Sequence, residues 1–274
     1  MSKNKVLLSF DVEEFDLPRE HGGEISVKEG VKVSSSGLLK ILDLLRRKEV
    51  KATFFVTGNF ARVNPELVSK IVDEGHEVAC HGVDHFEPKK SDIKESIKIV
   101  GKLARIYGYR QPRMFGISYS DLKDAGYKYD SSVNPAFIPG RYNHFGVPRK
   151  PFIKEGVLEI PTTVATFMRV PLFWLALHLF SKRLYLKLAL MGANKTGHLA
   201  TYFHPWEFAD ELVNYKEVPG YIKKNSGDRL VEKLEFVIEG LKKKGLVFET
   251  YHEFADSYLR SSRESSREIF KIIV

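Results

Sequence analysis

The chain has 274 residues, 43% hydrophobic and 28% charged, which is enough apolar material for a packed core and excludes global disorder. A single cysteine, Cys80, excludes an intrachain disulfide and suits a reducing compartment. The net charge of +8 could attract nucleic acid, anionic lipid or acidic glycan. No nucleic-acid motif accompanies it, so a lysine-rich solvated surface is the simpler reading and no nucleic-acid partner is expected.

In chain order, Val6-Leu7-Leu8-Ser9-Phe10 is too short for a signal-peptide core and is closed at once by Asp11. Residues 5–11 read as a buried first strand, and the expected location is cytoplasmic, extending to the inner face of the membrane. Ser34-Ser35-Ser36 precede Gly37 to Leu45, which has helical apolar spacing with a capping serine nearby. Residues 51–56 read as a second strand. Asn64 caps a helix with Pro65 at its first position, and Gly75 ends it. Residues 77–80 form a third strand, followed by a helix from about Ser91 to Tyr107. Residues 130–160 carry four prolines and read as loops that could wall a cleft, with a strand near 157–160. Leu172 to Leu190 reads as a helical hairpin interrupted by Ser181-Lys182-Arg183, too charged to span a membrane but able to lie on one or on a partner. His198 to Phe203 is a strand. The end reads as helix (229–244), strand (246–248) and helix (251–259). No apolar run of about 18 residues appears, so a spanning helix is not expected.

Repeated strand-helix units imply a parallel sheet with functional groups at the strands' C-terminal ends. Asp11, His81 and His204 fall at such ends. His81-Gly82-Val83-Asp84-His85 places two imidazoles at i and i+4, able on a helical turn or tight loop to reach one ion about 2 Å from each. Alone this spacing is a weak signal. Alternation puts Asp11 and Glu13 on one side of an extended segment, so one can bind metal while the other acts as base. Hydrolytic zinc sites use few protein ligands and keep a position open for water. Arg110, in the turn Tyr109 to Phe115, could hold a catalytic aspartate ionised. His204 could protonate a leaving amine.

These motifs in this order, Ser9-Phe10-Asp11-Val12-Glu13, His81 to His85, Arg110-Gln111-Pro112 and Phe203-His204-Pro205, resemble the polysaccharide deacetylase family, also called NodB-homology or carbohydrate esterase 4. The phrases Ala52 to Gly58 and Glu74 to His81 are similar to its connecting sequences, and the resemblance covers about residues 5–255. It implies an α/β fold, a distorted (β/α)7-type barrel related to the TIM barrel. A single catalytic domain is expected over 1–274, with 172–190 as an apolar helical insertion. Its metal triad is one carboxylate and two histidines, which His81 and His85 match. The usual adjacent aspartate pair is absent, since Val12 follows Asp11. The branch with a D-x-E first motif makes Asp11 the base and Glu13 the ligand, with Glu14 the less favoured ligand. Arg110 matches the arginine that holds the base, and His204 the general acid. The fourth motif departs: Val133 and Asn134 follow Tyr129-Asp130-Ser131-Ser132, where an aspartate and a tryptophan are usual. That leaves His204 without an assigned carboxylate partner. Trp206 or Trp174 would supply the sugar-facing aromatic surface, and Phe115 and Tyr202 are further substrate-contact candidates.

The expected activity is metal-dependent hydrolysis of an N-acetyl or N-formyl amide on an amino sugar of a polysaccharide, peptidoglycan or lipid-linked glycan precursor. Zinc is the first-choice ion, with cobalt, nickel, iron or manganese as alternatives. Peripheral membrane association through 172–190 is a further expectation, and the oligomeric state is open. Competing readings keep the barrel but cleave a cyclic ureide or acylated polyamine, or retain only carbohydrate or lipid binding. A glycosidase would need two facing carboxylates and no histidine cluster.

Overall fold

A computed structural model of the chain describes residues 3–114, 116–138, 142–166 and 168–273. Seven parallel strands follow one another along it: β1 (Lys5–Val12), β2 (Thr53–Val56), β3 (Glu77–Cys80), β4 (Gly108–Tyr109), β5 (Tyr129–Asp130), β6 (Val157–Glu159) and β7 (His198–Phe203). Their spatial order is β7, β1, β2, β3, β4, β5, β6. Phe152–Lys154 adds an antiparallel edge to β6, and Val247–Phe248 pairs with Lys5 and Val6 of β1. No ladder joins β6 to β7 among the described residues. There Thr163 donates its N–H to the Ala200 carbonyl at 2.8 Å and accepts the Ala200 N–H on Oγ1 at 2.8 Å. The sheet is therefore the curled, distorted (β/α)7 arrangement that the resemblance implies.

Strand alternation divides the core in two. Val6, Leu8, Phe10 and Val12 face the outer helices with Phe54, Val56, Val78 and Cys80. Leu7, Phe55, Ala79, Tyr129, Leu158 and Ala200 face inward and fill the barrel, closed below by Tyr251 and Ala255. Continuing the inward rows toward the C-terminal mouth gives Ser9 and Asp11 on β1 with Glu13 just after it, His81 after β3, and Tyr202 on β7 with His204 just after it.

The main covering helices are α1 (Val27–Lys48), α2 (Pro65–Asp73), α3 (Asp92–Val100), α4 (Tyr119–Ala125), α5 (Trp174–Leu179), α6 (Lys182–Thr196), α7 (Asp228–Lys243) and α8 (Tyr251–Ile273). α1 begins ten residues earlier than its apolar spacing suggested, because Ser26 is the cap and accepts the Glu29 N–H at 3.2 Å. Ser35 and Ser36 lie inside the helix and bond back to the Val31 and Val33 carbonyls at 2.7 and 3.0 Å. Gly37 lets α1 approach the turn after β7 closely, since a Cβ there would lie 1.8 Å from the Pro205 carbonyl oxygen. α2 has its expected cap, with the Asn64 side chain accepting the Leu67 N–H at 3.3 Å. α3 stops at Val100, short of Tyr107, because Leu103, Ala104 and Ile106 fold back onto the core before β4. The 172–190 hairpin breaks at Ser181, whose hydroxyl caps α6. α8 runs beyond its expected end at 259. No helix among the described residues is long and apolar enough to cross a membrane.

One buried carboxyl sits at the opposite end of the barrel from the inward histidines. Glu77 accepts from the Tyr129 hydroxyl at 2.6 Å, Thr53 Oγ1 at 2.7 Å and the His252 N–H at 3.0 Å. Burial outweighs these donors and pushes its pKa up to about 7. Between pH about 4.5 and 7 the unfolded chain has lost this proton while the folded chain keeps it, so stability falls as pH rises. The shift corresponds to about 3 kcal/mol across that window. Glu77→Gln should flatten this component in urea melts at a series of pH values; an unchanged pH slope would count against it.

Candidate active site and metal centre

The mouth of the barrel is organised around Arg110, which directly follows β4 and is fully buried. A guanidinium has five N–H donors, and all five are engaged. Nη1 donates to Asp11 Oδ1 at 2.5 Å and Ser9 Oγ at 3.1 Å. Nη2 donates to Ser131 Oγ at 3.1 Å and the Tyr251 hydroxyl at 3.2 Å, and Nε to the Ser131 carbonyl at 3.0 Å. Its carbon lies 3.9 Å from the centre of the Phe55 ring. Burial would lower the guanidinium's pKa, but the Asp11 charge more than offsets this and holds it charged. Asp11 is thereby fixed by Oδ1, and its Oδ2 turns toward His81 Nε2 at 3.9 Å.

Glu13, His81 and His85 converge beside it, with one donor atom from each lying within 4.8 Å of the others. Glu13 Oε2 is 3.4 Å from His81 Nε2 and 3.1 Å from His85 Nε2. Each ring is oriented from behind. His81 Nδ1 donates to the Arg110 carbonyl at 2.9 Å, and His85 Nδ1 meets Asp16 Oδ2 at 2.7 Å. This is how metal-binding histidines are usually held. Gly82, at φ 68°, turns the chain after His81, so the two histidines meet across a loop and not on a helical turn. Glu13 Oε2 and His81 Nε2 are both buried with no hydrogen-bond partner. Two orphaned atoms aimed at one point, of the types that bind zinc, fit a divalent ion. Burial alone would raise the Glu13 carboxyl, but His85, His204 and His81 around it hold it down at about 2. His85 would be lowered by burial and is instead raised to about 10 by Glu13 and Asp16. Glu14 turns away as alternation requires, accepting from Thr57 Oγ1 at 2.8 Å and from the His85 N–H at 3.1 Å.

His204 stands across the cleft, with Nε2 3.9 Å from Glu13 Oε1. Its ring stacks on Trp206 at 5.1 Å and meets the edges of Tyr202 and Trp174 at 5.6 and 5.5 Å. The carboxylate partner that the fourth motif did not supply is Glu207, fully buried, whose Oε1 accepts from His204 Nδ1 at 2.9 Å. It lies three residues beyond His204, in the 3-10 turn (Pro205–Phe208) that His204 caps. Trp206 is buried, and its Nε1 donates to Glu13 Oε1 at 3.1 Å, so it orients the carboxylate while also lining the cleft. Tyr202, Trp174 and Phe173 form an apolar wall, and Gln111, Asn134 and Arg113 lie among the polar positions of a cavity of about 190 Å³. Phe115 lies outside the described residues. The sequence reading missed Asp16 and Glu207. Only the proximity of Glu207 to His204 could have pointed to it.

The family model for polysaccharide deacetylases matches residues 2–133, which include Asp11, Glu13, His81, His85 and Arg110. The peptidoglycan-N-acetylmuramic acid deacetylase PdaA of Bacillus subtilis is 32% identical over 102 residues, 32% of this chain and 38% of PdaA. The match thus spans well under half of that relative. A Mycobacterium smegmatis protein assigned as a polysaccharide deacetylase superposes with a TM-score of 0.64 at 18% identity, over 96% of this chain and 92% of that one. PuuE allantoinase does so with a TM-score of 0.62 at 17% identity, over 92% and 89%. At these identities the superpositions show a shared fold.

Breaking the central ion pair from one side should be costly. Arg110→Leu leaves Asp11 buried without its counter-charge, and a loss of about 3–5 kcal/mol is expected in denaturant unfolding. A loss below about 1 kcal/mol would mean that Asp11 does not depend on Arg110.

Proposed function

We propose that the chain is a metal-dependent hydrolase of the polysaccharide deacetylase family, whose model matches residues 2–133, and that it removes an N-acyl group, acetyl first, from an amino sugar. The substrate class is a polysaccharide, peptidoglycan or lipid-linked glycan precursor. The observation that carries this reading is the convergence of Glu13 Oε2, His81 Nε2 and His85 Nε2 between Asp11 and His204.

Glu13, His81 and His85 would hold the ion, for which zinc is the first choice given one oxygen and two imidazole nitrogens. A divalent ion in that position supplies Lewis-acid polarisation and makes water a better nucleophile near neutral pH. Asp11 is the base: Arg110 occupies Oδ1, and Oδ2 is the atom that takes the water's proton. His204 is the acid: Nδ1 is tied to Glu207, and Nε2, facing the cleft, gives its proton to the departing amine. Tyr202, Trp174 and Phe173 offer apolar faces to a sugar ring or acyl methyl, and Trp206 keeps Glu13 in place. Exposed Leu179, Leu184 and Met191, with Lys182, Arg183 and Lys187 also exposed on the hairpin, support peripheral association with an anionic, glycolipid-bearing surface.

His81→Ala should abolish stoichiometric zinc binding and lower acetate release from N-acetylglucosamine oligomers by about a thousandfold. Elemental analysis and an acetate assay check both, with allantoin as the control amide. Full activity in His81→Ala would sink this scheme, and turnover of allantoin alone would move the chain to the ureide class.

A further inference from the structure

The apolar segment 172–190 reaches into the site through one helix face. Trp174 and His178 lie one turn apart on α5, and the Trp174 ring meets both His178 and His204 edge-on, at 6.0 and 5.5 Å. His178 is 2% exposed, and its Nε2 lies 2.8 Å from Glu207 Oε2. Asn225 Nδ2 clamps the His178 carbonyl at 2.9 Å, fixing the helix end.

We propose that His178 is a positioning residue for the reaction, the third member of a buried His178–Glu207–His204 chain that fixes the tautomer and direction of His204. This rests on the role given to His204 above. An ionised carboxylate only accepts hydrogen bonds. Glu207 Oε1 accepts twice from His204, from its backbone N–H at 2.6 Å and from Nδ1 at 2.9 Å. Glu207 Oε2 accepts from His178 Nε2. Without that donor, Oε2 would be a desolvated oxygen, and the cheapest repair is to protonate or rotate the carboxyl. A protonated or rotated Glu207 no longer accepts from His204 Nδ1, so the ring loses its anchor and is free to turn its Nε2 proton away from the cleft. His178 therefore acts two hydrogen bonds away from His204, through the orientation of the acid.

The test compares His178→Leu with His178→Gln in the full zinc-loaded chain. The readouts are kcat and KM on an N-acetylglucosamine oligomer, zinc content, and ¹⁵N ring shifts of His204. A glutamine amide can replace the Nε2–H donor; leucine cannot. His178→Leu should lower kcat about 10- to 100-fold, with KM within about twofold and zinc retained. Its His204 should lose the Nδ1–H signature, while His178→Gln restores both kcat and signature. Wild-type kcat and tautomer in His178→Leu would overturn the proposal, as would equal losses in both variants. Should the leucine variant not fold, His178→Asn, whose amide is too short to reach Glu207, replaces it in the same contrast. If the wild type releases no acetate, the functional reading fails, and the His204 shifts still decide the positioning role.

Discussion

The buried Arg110–Asp11 pair is the constraint on which the rest of the site depends. A guanidinium taken out of water is tolerated only when its donors are met and its charge is paired. Arg110 meets both conditions by drawing on Ser9 and Asp11 of β1, Ser131 after β5, and Tyr251 at the start of α8. Those partners come from remote parts of the chain, so the pair forms only when the barrel is assembled. The same residue then serves two sides of the site. Its side chain fixes Asp11, and its carbonyl holds His81 in the tautomer that points Nε2 at Glu13.

Much of this was legible in the sequence because it follows local rules. The period of two along β1 places Asp11 and Glu13 inside and Glu14 outside without knowledge of any partner. The strand ends at Asp11, His81 and His204 share one mouth because parallel strands share one direction. What was not legible depends on distant contacts. Ser34 to Ser36 looked like a cap, yet the cap is Ser26, because helix packing against the Pro205 turn extends α1 through Gly37. The partner of His204 was sought in the fourth motif and lies instead at Glu207, a residue whose role depends on the turn it occupies. His178 was hidden in a segment that reads as covering helix, and nothing at the level of spacing marks it as facing Glu207.

The departures from the usual family pattern are thus compensated in space. Where the adjacent carboxylate is absent, Glu13, two residues on and on the same face as Asp11, lies beside His81 and His85. The carboxylate partner of His204 comes from its C-terminal side, as Glu207. A barrel that had decayed to a binding module would have no need to keep Glu13 Oε2 and His81 Nε2 buried, unpartnered and converging. Fold likeness does not choose the amide, since an allantoinase shares the same architecture.

Anomalous diffraction from crystals equilibrated with zinc tests the metal centre most directly. One strong peak bounded by Glu13 Oε2, His81 Nε2 and His85 Nε2, with Asp11 and His204 on either side, is the expected result. No peak at stoichiometric zinc, or a peak away from His81 and His85, would contradict it.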